Sequence, residues 1–149
     1  MEMLIGEYRN TLDEKGRVSF PAKLRSVLQQ NELMVTQGLD HCLMLFTLEE
    51  WTELTEKIIG SASIFDSQKR IVLRRFIGPA QKVEFDKSGR LSIPQSLREF
   101  ASLTLGEECV ILGVDKYIEL WSSEEYAKNL LETEPSFQEA TQSLGSILL

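Results

Sequence analysis

Residues that build catalytic, metal and redox sites are scarce in this sequence. Its 149 residues include two cysteines and one histidine. Cys42 and Cys109 are too few and too far apart for a metal or redox motif, so we expect no cofactor and no bound metal. His41 has no matched serine or cysteine nucleophile, and we interpret it as a surface residue in a turn. An enzyme is therefore the weakest hypothesis, and no small-molecule substrate is expected.

Long apolar runs are absent as well. No run approaches the roughly 20 residues that a membrane-spanning helix needs, and the N-terminal segment MEMLIGEYRN lacks the basic start and apolar core of a secretory signal. We therefore expect a cytoplasmic protein with reduced thiols and no membrane partner. Cys109, in the segment EECVILG, is interpreted as a buried strand thiol that behaves as a small apolar residue.

Positive charge is in deficit, and the deficit is uneven. Lysine and arginine total 16 against 23 aspartates and glutamates, which gives a net charge of −7. Residues 1–77 carry ten basic and eleven acidic side chains, whereas residues 78–149 carry six and twelve. This balance argues against a general polyanion binder. Any contact with nucleic acid must come from a local basic patch.

The sequence does contain an internal repeat. LDEKGRVSFPAKLR, residues 12–25, recurs as FDKSGRLSIPQSLR, residues 85–98. The alignment pairs Asp13 with Asp86, Gly16 with Gly89, Arg17 with Arg90, Ser19 with Ser92, Pro21 with Pro94, Leu24 with Leu97 and Arg25 with Arg98, and it places Lys82 opposite Arg9. After a two-residue slip, QGLDHCLMLFTLEEW matches LGVDKYIELWSSEEY. A match of this extent indicates two copies of one structural unit.

Local patterns give each copy the same order of elements, ββαββα. The segment GEYRNTLDEKGRVSF alternates around a glycine-containing turn, which predicts a hairpin whose two strands pair with each other. Period-2 alternation places Val18 and Phe20 on one face and Arg17 and Ser19 on the other. Farther along, Thr47 followed by Glu50 is a capping-box signature, and Asp66 is an expected cap of the connecting helix.

The two units are best explained as pseudo-symmetric halves of one α+β fold. Neither half has enough apolar residues for a core of its own, so we expect one barrel-like sheet core with peripheral helices. The recurring aromatic residues are expected in the core or in subunit contacts: Phe46, Trp51, Trp121 and Tyr126. The tail matches nothing in the first copy, and we expect it to break at Pro135 and to be weakly helical or mobile.

The duplicated turn has a structural and a functional interpretation. Aspartate at the start of a turn and glycine near its end are common turn chemistry. A surface Asp–Arg pair contributes only about 0–1 kcal/mol, so stability explains the repeated arginine poorly. In the functional interpretation the turns are oriented by Asp13, Gly16, Asp86 and Gly89, and they present two basic edges formed by Arg9, Lys15 and Arg17 and by Lys82, Lys87 and Arg90. Arginine binds phosphate or guanine edges, and a two-stranded ribbon fits the major groove.

The motifs DEKGR and DKSGR, each followed by a strand end of the form V/L-S-F/I-P, resemble those of the MraZ family, bacterial transcriptional regulators related to the AbrB-type swapped-hairpin fold. The resemblance covers nearly the whole chain. It implies a double-split, swapped-hairpin β-barrel with an AbrB-like repeat at 1–59, a connecting helix at 60–77, a second repeat at 78–132 and a tail at 133–149. The second copy departs from the first because its lysine stands at position 87 and Ser88 lies opposite Lys15.

The resemblance also implies a function. A MraZ-like protein is a cytoplasmic, nucleoid-associated protein that binds double-stranded DNA as a ring-like homo-oligomer. It recognises short direct repeats ahead of the cell-division and cell-wall gene cluster, which includes its own gene. In this sequence the implied motif residues are Asp13, Lys15 and Arg17 in the first copy and Asp86 and Arg90 in the second.

Two other non-enzymatic hypotheses remain. The hairpins could dock onto an acidic protein partner in an oligomeric scaffold, or the chain could be an AbrB-like antitoxin, although its internal duplication counts against the latter. The run KRIVLRRF places Arg70 and Arg74 one helical turn apart. We interpret this run as a solvated or salt-bridged face, with auxiliary phosphate contact as the alternative.

Overall fold

The computed structural model describes residues 2–61 and 63–148, and the same elements follow one another in both halves. The first half contains β1 (Leu4–Thr11), β2 (Arg17–Ser19), α1 (Ala22–Leu28), β3 (Glu32–Gln37), β4 (Leu43–Phe46) and α2 (Leu48–Gly60). A connecting helix, α3 (Ser67–Val72), continues as a π-helical turn over Leu73–Ile77. The second half contains β5 (Gln81–Glu84), β6 (Arg90–Ser92), α4 (Gln95–Phe100), β7 (Glu108–Asp115), β8 (Tyr117–Ser122) and α5 (Ser123–Leu148). The predicted ββαββα repeat is confirmed.

The main sheet is pseudo-symmetric. Its six antiparallel strands follow the order β1-β7-β8-β4-β3-β5, and β2 and β6 form a separate two-stranded ribbon. If each strand is replaced by its counterpart in the other half, the result is the same strand order read from the opposite edge of the sheet. The β4–β8 pair, in which Leu43 lies opposite Leu120, therefore stands at the centre of the repeat symmetry.

The pairing of β1 with β2 that local alternation predicts is wrong, because the halves exchange strands at this point, in agreement with the swapped-hairpin fold that the resemblance implies. The turn itself closes, with the N–H of Asp13 donating to the carbonyl oxygen of Arg17 at 2.8 Å. Beyond the turn the two strands part: β1 pairs with β7 over eight residues, and β2 pairs with β6. Likewise, β5 pairs with β3. The ladder partners come from the other half, which local alternation in the sequence does not reveal.

The sequence predicted a barrel-like sheet core, and the six-stranded sheet of the structure is not closed. Its edge strands are β1 and β5, and the β2–β6 ribbon forms a separate sheet beside them. The side-chain amide of Asn10 donates to the carbonyl oxygen of Ser19 at 2.7 Å, and Phe85 forms an isolated bridge with Leu91. Because β2 and β6 are only three residues long, packing of the core rather than a continuous ladder joins the two edges.

One core serves both halves, as expected. Its buried residues include Leu12, Val18, Phe20, Leu24, Leu33, Leu45, Phe85, Leu91, Ile93, Leu97, Ile111 and Leu120. Phe20 of the first half and Phe85 of the second meet edge to face with ring centroids 5.3 Å apart. Cys109 is buried in this core and Cys42 in a smaller cluster, both as free thiols. Burial of this apolar surface is the main force that holds the halves together.

The recurring aromatic residues form equivalent pairs beneath the helices. Phe46 and Trp51 have ring centroids 5.5 Å apart, and Trp121 and Tyr126 have theirs 5.6 Å apart. Phe46, Trp121 and Tyr126 are buried, and Trp51 packs against the cluster that contains Phe46. The expectation that these residues belong to the core is confirmed.

The predicted caps are present, but the predicted break in the tail is not. Thr47 accepts the N–H of Glu50 at 3.2 Å, and Asp66 caps α3. Helix α5 runs through Pro135 to Leu148. Proline removes the hydrogen bond to the carbonyl oxygen of Leu131, but Leu131 is 80% exposed, so water can satisfy that oxygen. Within the described residues, no helix is long and apolar enough to cross a membrane.

Candidate nucleic-acid interface

The first turn is organised by one carboxylate. Asp13 Oδ1 accepts the backbone N–H groups of Lys15 and Arg17, both at 2.9 Å, while Oδ2 accepts the Nε–H of Arg17 at 2.8 Å. The hydrogen bond from the Arg17 backbone is the main reason that the pKa of Asp13 is lowered. Gly16 has φ +76°, a conformation that favours glycine, and completes the turn. The aspartate thus fixes both the turn and its arginine.

The second turn repeats this geometry atom for atom. Asp86 accepts the N–H groups of Ser88 and Arg90 at 2.9 Å and the Nε–H of Arg90 at 2.8 Å. The pKa of Asp86 is lowered, again mainly by the backbone hydrogen bond from the arginine. Gly89 has φ +77°. Two turns separated by most of the chain therefore present their arginines in the same way.

The β2–β6 ribbon brings the two arginines together. Arg17 lies opposite Ser92, and Arg90 lies opposite Ser19, so all four side chains share the outer face of the ribbon. Diagonal neighbours of this kind are about 7–8 Å apart. The side chains of Arg17 and Arg90 are 25% and 34% exposed. Each uses Nε for its aspartate, and its terminal amino groups donate to no described residue.

The lysines that accompany these arginines are exposed at the turn tips and unequal in placement. Lys15 lies opposite Ser88 in the repeat, and Lys87 lies opposite Glu14. Neither lysine makes a salt bridge to a described residue. The first tip therefore carries an acidic residue where the second carries a basic one.

Arg9 and Lys82 do not lie on the ribbon, and both have acidic partners. Arg9, on β1, contacts Glu108 at 3.1 Å and Glu7 at 3.2 Å. Lys82, on β5, lies 3.8 Å from Glu32. Their charges are partly compensated by these carboxylates, as those of Arg17 and Arg90 are by Asp13 and Asp86. The structure thus brings Lys15, Arg17, Lys87 and Arg90 to the turns and leaves Arg9 and Lys82 on the flanking strands.

Two arginines that the sequence reasoning did not assign to the site lie against these turns. Arg98 contacts Gly16, and Arg25 contacts Gly89, so each comes from the half opposite to the turn. The repeat alignment already paired them with each other, and this was the available signal. Their contact with the turns could not be inferred from local patterns, because it depends on the register with which the exchanged strands pair.

His41 has a serine partner that the sequence reasoning did not identify. Its Nδ1 lies 3.1 Å from Glu125 Oε2, and its Nε2 lies 3.0 Å from Ser102 Oγ. The nearby backbone N–H groups of Ser102 and Leu103 already donate to carbonyl oxygens of α4, so they are not available to an oxyanion. The side chain of His41 is 43% exposed, in a turn as predicted, and the cluster joins this turn to α4 and α5.

Neither metal ligation nor thiol chemistry is favoured by the geometry. In residues 2–61 and 63–148, no group of three or more His, Cys, Asp and Glu side chains could hold a metal ion. Burial raises the pKa of the Cys109 thiol to about 11 and raises the pKa of Cys42 as well. Both thiols are therefore protonated at neutral pH and weakly nucleophilic.

Comparison with known proteins gives a consistent result over both halves. The family model described as "MraZ protein, putative antitoxin-like" matches residues 3–75 and again residues 76–146. The protein named Transcriptional regulator MraZ from Treponema denticola is 49% identical over 144 residues, which are 97% of this chain and 99% of that protein.

Two further relatives carry the same name. That of Treponema pallidum (strain Nichols) is 41% identical over 97% of this chain and 95% of its own length, and that of Halothermothrix orenii is 42% identical over 97% and 99%. The solution structure of PHS018 from Pyrococcus horikoshii aligns with 78% of this chain and 96% of its own at 15% identity and a TM-score of 0.37. The named relatives are regulators and not enzymes, in agreement with the expectation from the sequence.

Proposed function

This chain belongs to the MraZ family, and from that premise we propose that it is a non-enzymatic transcriptional regulator that binds double-stranded DNA sequence-specifically through its two Asp–Arg turns. The observation that carries the proposal is the placement of Arg17 and Arg90 as diagonal neighbours on the outer face of one ribbon. A two-stranded ribbon enters a major groove about 12 Å wide, and two arginines about 7–8 Å apart can contact one duplex there.

The hydrogen bonds of the turns support this role. Within the guanidinium group of Arg17, only Nε donates to Asp13. The terminal amino groups therefore remain available to donate to a phosphate or to a guanine edge. The same holds for Arg90 and Asp86. Lys15 and Lys87 add exposed cations at the tips. In this proposal Arg9 and Lys82 contribute at the flanks, where they must leave their acidic partners to reach DNA.

The weakness of such a contact favours an oligomer. About four phosphates neutralised per subunit give a slope of about −3.6 for log K against log salt, and non-specific binding at this level has a Kd of roughly 10⁻⁴ to 10⁻⁶ M. Linking several subunits on repeated sites multiplies affinity by roughly 10²–10⁴. We therefore propose a ring-like homo-oligomer, cytoplasmic and nucleoid-associated, that binds short direct repeats ahead of the cell-division and cell-wall genes, including its own gene.

The acidic balance of the chain is compatible with DNA binding. With a net charge of −7, most of the surface repels DNA, and attraction is confined to the ribbon and the turns. The main rival is a scaffold or antitoxin whose basic turns dock onto an acidic protein. The description of the matching family as "putative antitoxin-like" is consistent with this second candidate.

The two functions are separated by titrating salt against binding. The wild-type chain is mixed with a fluorescent duplex from the region upstream of its own gene, and anisotropy is measured at several salt concentrations. Parallel mass measurement gives the number of subunits in the complex. Steep salt dependence together with preference over a scrambled duplex is expected for the regulator. Equal and negligible binding of both duplexes would exclude it in favour of the protein-docking function.

A further inference from the structure

Each turn is covered by an arginine from the opposite half. A methyl group built on Gly16 would lie 3.1 Å from Cζ of Arg98, and one built on Gly89 would lie 2.6 Å from Cζ of Arg25. Both glycines are buried beneath these guanidinium groups. The contacts are therefore reciprocal: the first half completes the second turn, and the second half completes the first.

The backbone register of the ribbon produces this exchange. The N–H of Ile93 donates to the carbonyl oxygen of Gly16 at 2.9 Å, and the N–H of Phe20 donates to that of Gly89 at 3.1 Å. A proline and a short helix follow each of these strands. Arg25 and Arg98 are the fourth residues of these helices, and each guanidinium group lies over the glycine of the opposite turn.

The two covering arginines differ in their hydrogen bonds. Arg25 Nε donates to the carbonyl oxygen of Phe20 at 3.2 Å. Arg98 Nε is buried and has no hydrogen-bond partner among the described residues. A buried donor without a partner is unfavourable, and in native proteins it points to a water, an ion or a ligand that supplies the acceptor. Neither arginine makes a salt bridge to a described residue, in contrast to Arg9.

The surroundings of the unpartnered donor indicate what ligand it takes. It lies at a turn that presents Lys15 and Arg17 beside the acidic Asp13 and Glu14. Since a guanidinium group is positively charged, an anionic oxygen is its preferred acceptor. Arginine donates through a planar fork, which matches a phosphate group. The second turn also has one lysine and two arginines, namely Lys87, Arg90 and Arg25, but it has no counterpart of Glu14.

We propose that Arg25 and Arg98 bind the DNA backbone, each at the turn of the opposite half, and that the side chain of Arg98 moves in the complex so that its buried Nε reaches a phosphate oxygen. This inference rests on the proposed function. Each DNA contact is then a composite of both halves, with two arginines and one lysine per turn. Neither half holds a complete binding surface without the other.

The test compares variants of the full chain in the salt-titrated anisotropy assay. Arg98→Gln and Arg25→Gln are each expected to weaken binding by about tenfold and to reduce the magnitude of the salt slope by about 0.9. Arg98→Lys retains the charge, so we expect it to keep the wild-type slope while binding more weakly than wild type. Lys116→Gln is the matched control, because it removes one positive charge from the β7–β8 turn and is expected to leave both quantities unchanged.

The outcomes separate this inference from the proposed function. Thermal unfolding of each variant shows whether it is folded. If wild type binds with a steep slope and Arg98→Gln and Arg25→Gln both keep that slope, the two arginines are structural and the inference is wrong, while the proposed function stands. Arg98→Lys keeps the positive charge of Arg98. If it nevertheless lowers both the affinity and the salt slope as much as Arg98→Gln does, then Arg98 does not neutralise a phosphate. If the wild-type chain binds neither the upstream duplex nor the scrambled duplex measurably, both proposals fail.

Discussion

The carboxylate of Asp13 holds Arg17 by two hydrogen bonds, one to the backbone N–H at 2.9 Å and one to Nε at 2.8 Å. A single side chain therefore sets both the path of the turn and the direction of the guanidinium. Since Asp86 and Arg90 repeat the arrangement, the two aspartates are the residues on which the geometry of the interface depends.

Replacing both aspartates by asparagine is expected to weaken DNA binding without unfolding the chain. Asparagine can accept at one oxygen but cannot hold the turn and the arginine at the same time. We expect the double variant Asp13→Asn, Asp86→Asn to bind roughly tenfold more weakly by anisotropy. Asp115→Asn, at the end of β7, is the control. Unchanged affinity in the double variant would mean that DNA binding does not depend on the orientation that the aspartates give to the arginines.

The lowered pKa values of Asp13 and Asp86 predict acid sensitivity. A carboxyl group whose pKa is lower in the folded state adds stability above its unfolded value of about 3.9, and this stability is lost as the pH falls through the folded value. Urea unfolding between pH 5 and pH 2.5 should therefore show a steeper loss of stability for wild type than for the Asp13→Asn, Asp86→Asn variant. Parallel curves would contradict this assignment.

Glu14 is expected to reduce binding at the first turn. It occupies the tip position that Lys87 occupies in the second turn. Glu14→Lys removes repulsion and adds a cation, so we expect affinity for DNA to rise roughly three- to tenfold at low salt. Glu53→Lys, on α2, carries the same charge change elsewhere. An equal rise in both variants would indicate a general charge effect instead of a contact at the tip.

The halves are expected to fold only together. Four strand pairings join them, namely β1–β7, β2–β6, β3–β5 and β4–β8, whereas β3–β4 and β7–β8 are the pairings within a half. An isolated hairpin is marginally stable at best. Fragments 1–77 and 78–149 should each lack cooperative thermal unfolding by circular dichroism and regain it when mixed. A cooperative transition in either fragment alone would refute this expectation.

The two thiols should be unreactive in the native chain. Burial keeps the pKa of Cys109 at about 11 and raises that of Cys42. At pH 8 we expect labelling by a disulfide reagent to be at least ~100-fold slower than for a free thiol, and to become fast in denaturant. Rapid labelling of one thiol per native chain would show that a cluster opens on the timescale of the reaction.

How far the sequence predicts this molecule depends on whether the interaction is local. Turn chemistry at Asp13 and Gly16 and the cap at Thr47 involve residues close in sequence, and local patterns revealed them. The partner of β2 lies in the other half, and alternation within one strand carries no information about it. For the same reason the contacts of Arg98 with Gly16 could not be predicted.

Two further differences have physical causes that lie outside local patterns. Helix α5 continues through Pro135 because the carbonyl group that loses its donor is on an exposed face. Arg9 has acidic neighbours that include Glu108, which only the β1–β7 pairing brings within 3.1 Å. A residue that is basic in the sequence is therefore not always a free cation in the fold.

The central claim, that Arg17 and Arg90 on the β2–β6 ribbon contact DNA, is tested most directly by charge reversal with a matched control. Arg17→Glu, Arg90→Glu is compared by salt-titrated anisotropy with Lys57→Glu, Lys116→Glu, which changes the net charge equally. Lys116 follows Asp115 at the far end of the eight-residue strand β7, about 24 Å from the end near the first turn. The account predicts that the ribbon variant loses specific binding and its steep salt slope while the control retains both. Wild-type affinity and slope in the ribbon variant, or equal loss in the two variants, would contradict it.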